Sequence, residues 1–411
     1  MENEQQPKPF KQFFMNFKLK LKTVLTSKAA NTFYSVLFAI VLGLLVGLVI
    51  LLFSNPRAAF PAFGKILLGF FGDPVSISVG IGNFLYYSTP LLLTGLAVGF
   101  AFKTGLFNIG ASGQFMVAQY VAVLVAFATA NLGPFNWIVA LVAGILAGAI
   151  WGFFPGFFKA AFNINEVITS IMFNWIGMYL TTMLIKNNKV IFDQSRARTF
   201  VIPKTAFIPK LGLDKLFPNS SIDIGIFLAI GVAVIIYFVL NKTTFGFELK
   251  AVGHNRHASK YAGINEKRNI IIAMVISGAL AGMAGGLQIL AGGAGNVGNS
   301  ILVIETLSPE GFNGIPVALL GLSHPIGIIF SAFFITFIQA GGNNAAAAVI
   351  PYEIVDIIIA VIIYCSAFSL LVRLYIANRL QKKRIEEEAK HLKTLNNAVS
   401  DTSVNKGDLN G

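Results

Sequence analysis

Residues 246–263, GFELKAVGHNRHASKYAG, form a polar and basic island between two long apolar segments of the chain. Asn255 is a residue type that caps helix N-termini and Gly263 one that ends helices, so the island predicts a short helix over residues 256–262. Two turns of helix are marginal in water on their own. A capped helix this short, set between apolar segments, is therefore expected to dock onto another protein.

The composition of the whole chain places the apolar segments in a membrane. Of the 411 residues, 55% are hydrophobic and only 12% are charged, whereas soluble domains carry about 25% charged residues. Repeated apolar runs of about 20 residues predict an integral membrane protein. Much of the formal charge of +13 flanks these runs, where it sets orientation, so no nucleic-acid partner is expected. Cys365 is the only cysteine, which excludes intrachain disulfides and cysteine-cluster metal sites.

The apolar runs predict an all-α, polytopic fold of about ten transmembrane or re-entrant helices. The eighth and ninth runs are short and divided at residues 323–325, so they could be two thin crossings or a re-entrant hairpin. The runs are 33–53, 82–102, 110–130, 135–158, 166–186, 222–241, 268–290, 311–322, 325–341 and 352–376.

Three parts of the chain follow from the runs and the charges. They are a basic cytoplasmic arm over residues 1–32, a transmembrane domain over 33–376 with a cytoplasmic loop at 242–267, and a charged, disordered cytoplasmic tail over 377–411. Basic residues flanking the spans place both termini in the cytoplasm. The loop 187–221 disagrees, because it falls outside and yet carries six basic residues.

Residues 105–114, GLFNIGASGQ, interrupt apolar sequence with three glycines, Asn108 and Gln114. A broken helix at membrane depth needs side-chain amides to satisfy its freed backbone groups, and transporters place such breaks beside their substrate. The alternative is an ordinary interfacial turn in which Asn108 caps the next helix.

Two polar residues begin or interrupt the next span. Glu166 lies in a first helical turn, after Asn165 as cap, where an acid complements the helix dipole; a direct substrate contact is the alternative. Asn174, near the same face, is expected to bond a neighbouring helix or, alternatively, a ligand. Glu305 and Glu310 lie at predicted span ends, and no acid falls clearly at a span centre, which weighs against a proton-driven carrier.

Sequence motifs give no catalytic, cofactor-binding or metal site. The chain has no GxxxxGK[ST] sequence, so it cannot hydrolyse ATP through a P-loop by itself. Residues 293–298, GAGNVG, match a dinucleotide fingerprint by letters but follow a predicted membrane helix rather than a strand. His254 and His257 are close in sequence and are assigned to a solvated docking face.

Five segments in combination resemble the permeases of bacterial ABC importers in the branched-chain amino acid, ribose and nucleoside superfamily, with nucleoside (guanosine-type) permeases as the most similar branch. The resemblance covers roughly residues 80–375, and the chain departs from the pattern at Ser112, where an acid is expected, and at Asn313, where an aspartate often stands. The segments are 105–114, 165–174, 250–265, 277–282 and 314–321.

The resemblance implies about ten helices, a heterodimer with a second similar permease, a cytoplasmic ABC ATPase that hydrolyses the ATP, and an extracytoplasmic substrate-binding lipoprotein. It places the complex in the bacterial plasma membrane and gives this chain no cofactor of its own. It also makes residues 253–263 the segment that sits in a cleft of the ATPase. The expected contacts are Gly253, His254, Asn255, Ala258, Tyr261 and Gly263.

The leading hypothesis is a membrane-spanning permease subunit that translocates a small polar solute, a nucleoside, without changing any bond in it. An ion-gradient carrier is the first alternative and would need an ionisable relay inside the membrane. A membrane-embedded transferase is the second and would need clustered His, Asp or Ser. The candidate residues on the solute path are Asn108, Gln114, Glu166, Asn174 and Asn313 for polar contacts, and Phe107, Phe173 and Trp175 for stacking on a base.

Overall fold

The computed structural model describes residues 28–346, 351, 353–361, 364–365 and 378–379. The predicted arm over 1–32 and tail over 377–411 therefore lie almost wholly outside the described residues. The described residues fall into two compact units, divided after Gly47 and after Ile359. Every site discussed below lies in the unit Leu48–Ile359.

The described chain is mostly helical. Residues 353–361 are helical as well, and two short strands, β1 (Phe192–Asp193) and β2 (Arg198–Thr199), pair antiparallel. The helices are α1 Lys28–Ser54, α2 Pro56–Leu68, α3 Ile77–Lys103, α4 Ala111–Ala128, α5 Asn136–Phe162, α6 Glu166–Asn187, α7 Leu213–Leu216, α8 Gly225–Lys242, α9 Thr244–His254, α10 Arg256–Tyr261, α11 Glu266–Leu290, α12 Pro309–Leu320 and α13 Pro325–Ala346.

Seven of the described helices, α3, α4, α5, α6, α8, α11 and α13, are long and apolar enough to cross a membrane. The prediction of a helical, polytopic membrane protein is confirmed, whereas the described residues do not establish a count of about ten. The run 311–322 corresponds to α12, whose 12 residues rise only about 18 Å at 1.5 Å per residue. This helix covers little more than half a bilayer, and the irregular segment 291–308 precedes it.

Glycines bring α5 and α11 into backbone contact. A Cβ atom on Gly148 would lie 2.5 Å from the carbonyl oxygen of Gly278 and 2.7 Å from the Cα of Gly282, so no larger residue fits without moving the helices apart. Small residues at four-residue spacing allow this close approach in membranes. The glycine spacing in the sequence predicts such packing, and these contacts confirm it.

The segment 188–224 packs over the irregular segment 291–308. Backbone hydrogen bonds join Thr199 N to Ile301 O at 2.9 Å and Val303 N to Ala197 O at 3.0 Å. The Lys210 ammonium donates to the carbonyl oxygen of Gly293 at 2.8 Å. The other basic residues of this loop are exposed; they are Lys189, Arg196, Arg198, Lys204 and Lys215.

Asp223 is a buried carboxyl just before α8, and its Oδ1 accepts from the N–H of Gly225 at 2.7 Å. Burial raises the pKa of Asp223 from 3.8 to about 7, opposed by the Gly225 N–H and the Lys210 ammonium. Since the folded-state pKa lies above the unfolded one, the protonated carboxyl stabilises the fold fully below about pH 4, and this contribution is lost as the pH rises through about 7.

We therefore expect the Tm of the purified protein in detergent to fall as the pH rises from about 4 to about 7. Asp223→Asn should remove that part of the pH dependence, because the amide does not titrate. Thermal unfolding at several pH values measures both. An identical slope in the variant would show that Asp223 does not cause it.

Candidate functional site

The connection between α3 and α4, residues 104–110, lies inside the helical bundle and is called the break below. Asn108 is fully buried and donates to the Ser277 hydroxyl at 2.7 Å, and Ser277 in turn donates to the carbonyl oxygen of Ala97 at 2.6 Å. Ser277 lies about 16 Å along α11 from its first residue, at 1.5 Å per residue. The geometry favours a broken helix at membrane depth over an interfacial turn.

Two side-chain amides stabilise the break from within. Asn108 Oδ1 accepts from the N–H of Gly110 at 2.9 Å, and Asn108 Nδ2 also donates to Gln114 Oε1 at 2.9 Å. Gln114 Nε2 returns a hydrogen bond to Asn108 Oδ1 at 3.3 Å. Both amides are fully buried. They satisfy each other and the irregular backbone, as a break in a membrane requires.

Asn174 holds the same break from the neighbouring helix α6. Its Oδ1 accepts from the N–H of Gly113 at 2.8 Å, and its Nδ2 donates to the carbonyl oxygen of Ile109 at 3.0 Å. The first N–H groups of a helix lack intrahelical partners, so Asn174 caps α4 from outside it. The prediction that a solute also contacts these three amides stays a prediction.

Replacing Asn174 with leucine is expected to destabilise the protein by about 2–6 kcal/mol, because two buried backbone groups lose their partners at roughly 1–3 kcal/mol each. Thermal unfolding in detergent measures the loss. Met172→Leu, at an exposed position two residues away on the same helix, is the matched control and should have no effect. Equal stability of the two variants would mean that Asn174 does not hold the break.

The N-terminus of the half-length helix α12 meets that of α4. The Ser112 hydroxyl donates to the carbonyl oxygen of Ser308 at 2.7 Å, and Gly311 packs against the backbone of Ser112. Gly314, one turn later, packs against Thr94 of α3. The resemblance predicts an acid in place of Ser112, and a carboxylate could not donate this hydrogen bond. Two interrupted helices thus begin side by side in the interior.

A chain of polar side chains continues from α12 to α4. Glu310 Oε1 accepts from Gln288 Nε2 at 3.0 Å, and Gln288 Oε1 accepts from Gln119 Nε2 at 3.0 Å. The sequence places Glu310 at the end of an apolar run; in the structure it is half-buried in the first turn of α12 and bonds Gln288. Sequence reasoning missed Gln119 and Gln288, whose only signal is a lone amide in an apolar helix.

The three aromatic candidates differ in the access to their rings. Phe107 stacks on Phe102 at a centroid distance of 5.0 Å, and Phe173 stacks on Phe154 at 5.1 Å. Trp175 lies on an exposed apolar face of α6 and is 44% exposed. Only the Trp175 ring therefore keeps a large accessible surface for contact with another molecule.

Neither of the remaining two polar candidates forms a side-chain hydrogen bond with the break in the described part of the chain. Glu166 forms an ion pair with Lys159 at 2.9 Å, and Asn165 caps α6 through Val167 N at 2.8 Å, which confirms the predicted cap. Asn313 is half-buried, and its side chain makes no hydrogen bond within the described part of the chain.

The predicted docking helix exists as α10. Asn255 Oδ1 accepts from the N–H of Ala258 at 3.0 Å, and Gly263 ends the segment with a left-handed φ of 79°. His254, Asn255, Ala258 and Gly263 are all exposed. Tyr261 is 94% exposed, so a large aromatic ring projects from a polar surface.

Gly253 packs against the backbone around Gly105, and its predicted contact with an ATPase stays a prediction. A Cβ atom there would lie 2.5 Å from the carbonyl oxygen of Lys103 and 2.8 Å from the backbone N of Gly105. Gly105 has a left-handed φ of 72° and opens the broken segment. The end of α9 therefore touches the start of the break directly, backbone against backbone.

Comparison with known proteins identifies the family. The model of the branched-chain amino acid transport system permease component matches residues 80–367. The guanosine ABC transporter permease protein NupP of Bacillus subtilis (strain 168) is 38% identical over 84% of this chain and 96% of its own length. The nucleoside ABC transporter permease protein NupB of Lactococcus lactis subsp. cremoris (strain MG1363) is 35% identical over 82% and 91%.

A second Bacillus subtilis permease, the guanosine ABC transporter permease protein NupQ, is 29% identical over 64% of this chain and 82% of its own length. No solved structure matches the chain. The family resemblance seen in the five sequence segments is confirmed by these matches. The chain belongs to the permease component family of branched-chain amino acid transport systems.

Proposed function

We propose that this chain is the membrane-spanning permease subunit of an ATP-driven ABC importer and that its solute is a nucleoside. The observation that carries the ATP-driven part is α10, a short capped helix with an almost fully exposed Tyr261. The solute class is supported by NupP and NupB, whose names specify guanosine and nucleosides.

A separate cytoplasmic ATPase binds the surface formed by α9 and α10. This chain has no P-loop sequence of its own, so hydrolysis takes place in the partner. Exposed aromatic residues are common anchors of protein interfaces, and His257 and Lys260 on the same helix are exposed as well. This surface then faces the cytoplasm, as do both termini of the chain, and the complex lies in the bacterial plasma membrane.

Movement of the ATPase reaches the solute path through one contact. A displacement of α10 moves the end of α9, where Gly253 touches Gly105. Gly105 leads into the break held by Asn108 and Asn174. The break then changes the opening between α4 and α12, and access alternates between the two sides without any bond in the solute being made or broken.

A second permease and a binding lipoprotein complete the importer. The pair NupP and NupQ, two guanosine permeases of one organism, supports a heterodimer of similar permeases. The lipoprotein docks on the side opposite α10, where the segment 188–224 exposes five basic side chains. Charge complementarity of this kind steers association with an acidic partner surface.

Affinity purification of the tagged chain from its own membranes in mild detergent tests this assembly. Mass spectrometry is expected to identify a P-loop ATPase and a second permease. Recovery of the chain alone, or only with copies of itself, would contradict the proposal. Uptake of labelled guanosine into cells should require ATP, and uptake that follows an ion gradient instead would favour a secondary carrier.

A further inference from the structure

A cavity of about 220 Å³ lies between α3, α4 and α11, beside the irregular segment 291–308. All but one of its lining side chains can form hydrogen bonds. The lining residues are Tyr86, Gln119, Gln288, Ile289, Asn299 and Ser300. Most of these positions lie within long apolar helices. Their polar side chains nevertheless meet at one cavity, which indicates a binding site for a polar molecule.

Internal hydrogen bonds fix the orientation of the amides. Gln288 is engaged at both ends of its amide, with Gln119 and with Glu310, each at 3.0 Å. Asn299 Nδ2 donates to the Tyr86 hydroxyl oxygen at 3.2 Å and to the carbonyl oxygen of Gln288 at 2.8 Å. The polar walls of the cavity are therefore held in place before any solute arrives.

Four hydrogen-bonding groups remain unused at this cavity. Among the described residues, Gln119 Oε1 and Asn299 Oδ1 have no donor, and the hydroxyls of Tyr86 and Ser300 have no acceptor. All four residues are half-buried, so these groups can exchange water for a bound solute. The set offers two amide oxygens that accept and two hydroxyls that donate, which complements a neutral molecule with adjacent hydroxyl groups.

The charge near the cavity also favours a neutral solute. Glu310 is the carboxylate connected to it, and both its oxygens already accept hydrogen bonds, from Gln288 and from Ser308. A larger cavity of about 340 Å³ between α3 and α13 carries two carboxylates, Asp73 and Asp356, which a neutral solute does not need.

We propose that the 220 Å³ cavity binds the ribose of the transported nucleoside. The two ribose hydroxyls donate to Gln119 Oε1 and Asn299 Oδ1, and their oxygens accept from the hydroxyls of Tyr86 and Ser300. The cavity is smaller than the roughly 300–1,000 Å³ of typical ligand pockets, so it holds one ring and the base lies outside it. This proposal rests on the proposed function.

The hydrogen bonds also connect this cavity to the break. Ser308 bonds Glu310 through its hydroxyl and Ser112 through its carbonyl oxygen. Separation of α4 from α12 therefore changes the environment of Glu310 and, through it, of Gln288. The movement that opens the path thus alters the wall that holds the ribose.

Protection of an engineered cysteine tests the site in the complete complex. In a Cys365→Ser background, Ser300→Cys would be modified with a methanethiosulfonate reagent, with Val75→Cys, at an exposed position before α3, as the control. Guanosine is expected to slow modification of the Ser300→Cys protein at least about ten-fold, the equivalent of 1.4 kcal/mol, and to leave Val75→Cys unchanged. 2′,3′-Dideoxyguanosine, which lacks both hydroxyls, should protect much less.

Uptake by the wild-type complex separates the possible failures. If it imports no nucleoside, the proposed function is wrong. If it imports guanosine but guanosine gives the Ser300→Cys protein no protection, the cavity is not the ribose site. Tyr86→Phe supplies a second, conservative variant: its guanosine uptake should fall about ten-fold for one lost hydrogen bond, while Tyr120→Phe stays at the wild-type rate. Normal uptake by Tyr86→Phe would overturn the proposal.

Discussion

Tyr261→Asp is expected to weaken binding of the ATPase by about 30- to 1,000-fold and to lower ATP-dependent uptake in proportion to the ATPase lost from the complex. The ring is 94% exposed on α10, so the substitution does not disturb the fold of the permease itself. Aromatic residues at the centre of an interface commonly contribute about 2–4 kcal/mol, and each 1.4 kcal/mol corresponds to a factor of about ten in affinity. A buried carboxylate in the same place would add a desolvation cost.

Recovery of the ATPase with the tagged chain, together with uptake of labelled guanosine, measures this effect. Tyr261→Phe keeps the ring and is the matched control, expected to bind and transport like the wild type. If Tyr261→Asp retains the ATPase and full uptake, α10 is not the docking element. The membrane insertion of each variant must be equal for the comparison to hold.

The short helix α10 was predictable because its sequence signals are local. Asn255 and Gly263 flank it within a few residues, and both take the predicted roles in the structure. The long apolar runs were predictable for the same reason, since length and hydropathy are properties of one segment. The ATPase contact of Gly253 stays a prediction from its position in the same segment, and its contact with Gly105 depends on the fold and is not visible in the sequence.

The polar network could not be predicted because its members are far apart in the sequence. Asn108 and Ser277 are separated by 169 positions, and so are Gln119 and Gln288. A lone amide in an apolar run indicates that some partner exists without indicating which one. The same limit left the partners of Glu310 unpredicted, because hydropathy does not show that the start of α12 packs against α4.

A substitution at the contact between Gly253 and Gly105 can separate binding of the ATPase from transmission of its movement to the break. A valine at position 253 would place its Cβ 2.5 Å from the carbonyl oxygen of Lys103, so the end of α9 must move away from the start of the break. The proposed docking surface around Tyr261 is untouched by this change. Binding of the ATPase should therefore survive, while the movement it generates no longer reaches Asn108 and Asn174.

Gly253→Val is accordingly expected to retain the ATPase and its ATP hydrolysis but to lower nucleoside uptake more than about ten-fold, which corresponds to 1.4 kcal/mol or more of lost coupling. Gly231→Val in α8 is the matched control, because a Cβ atom at Gly231 meets nothing within 4 Å. Parallel assays of ATPase recovery, hydrolysis and uptake separate the outcomes. Full uptake by Gly253→Val would mean that the movement travels by another route, and loss of the ATPase would mean that Gly253 supports docking itself. Retained hydrolysis without uptake is the result that only a transmitting contact explains.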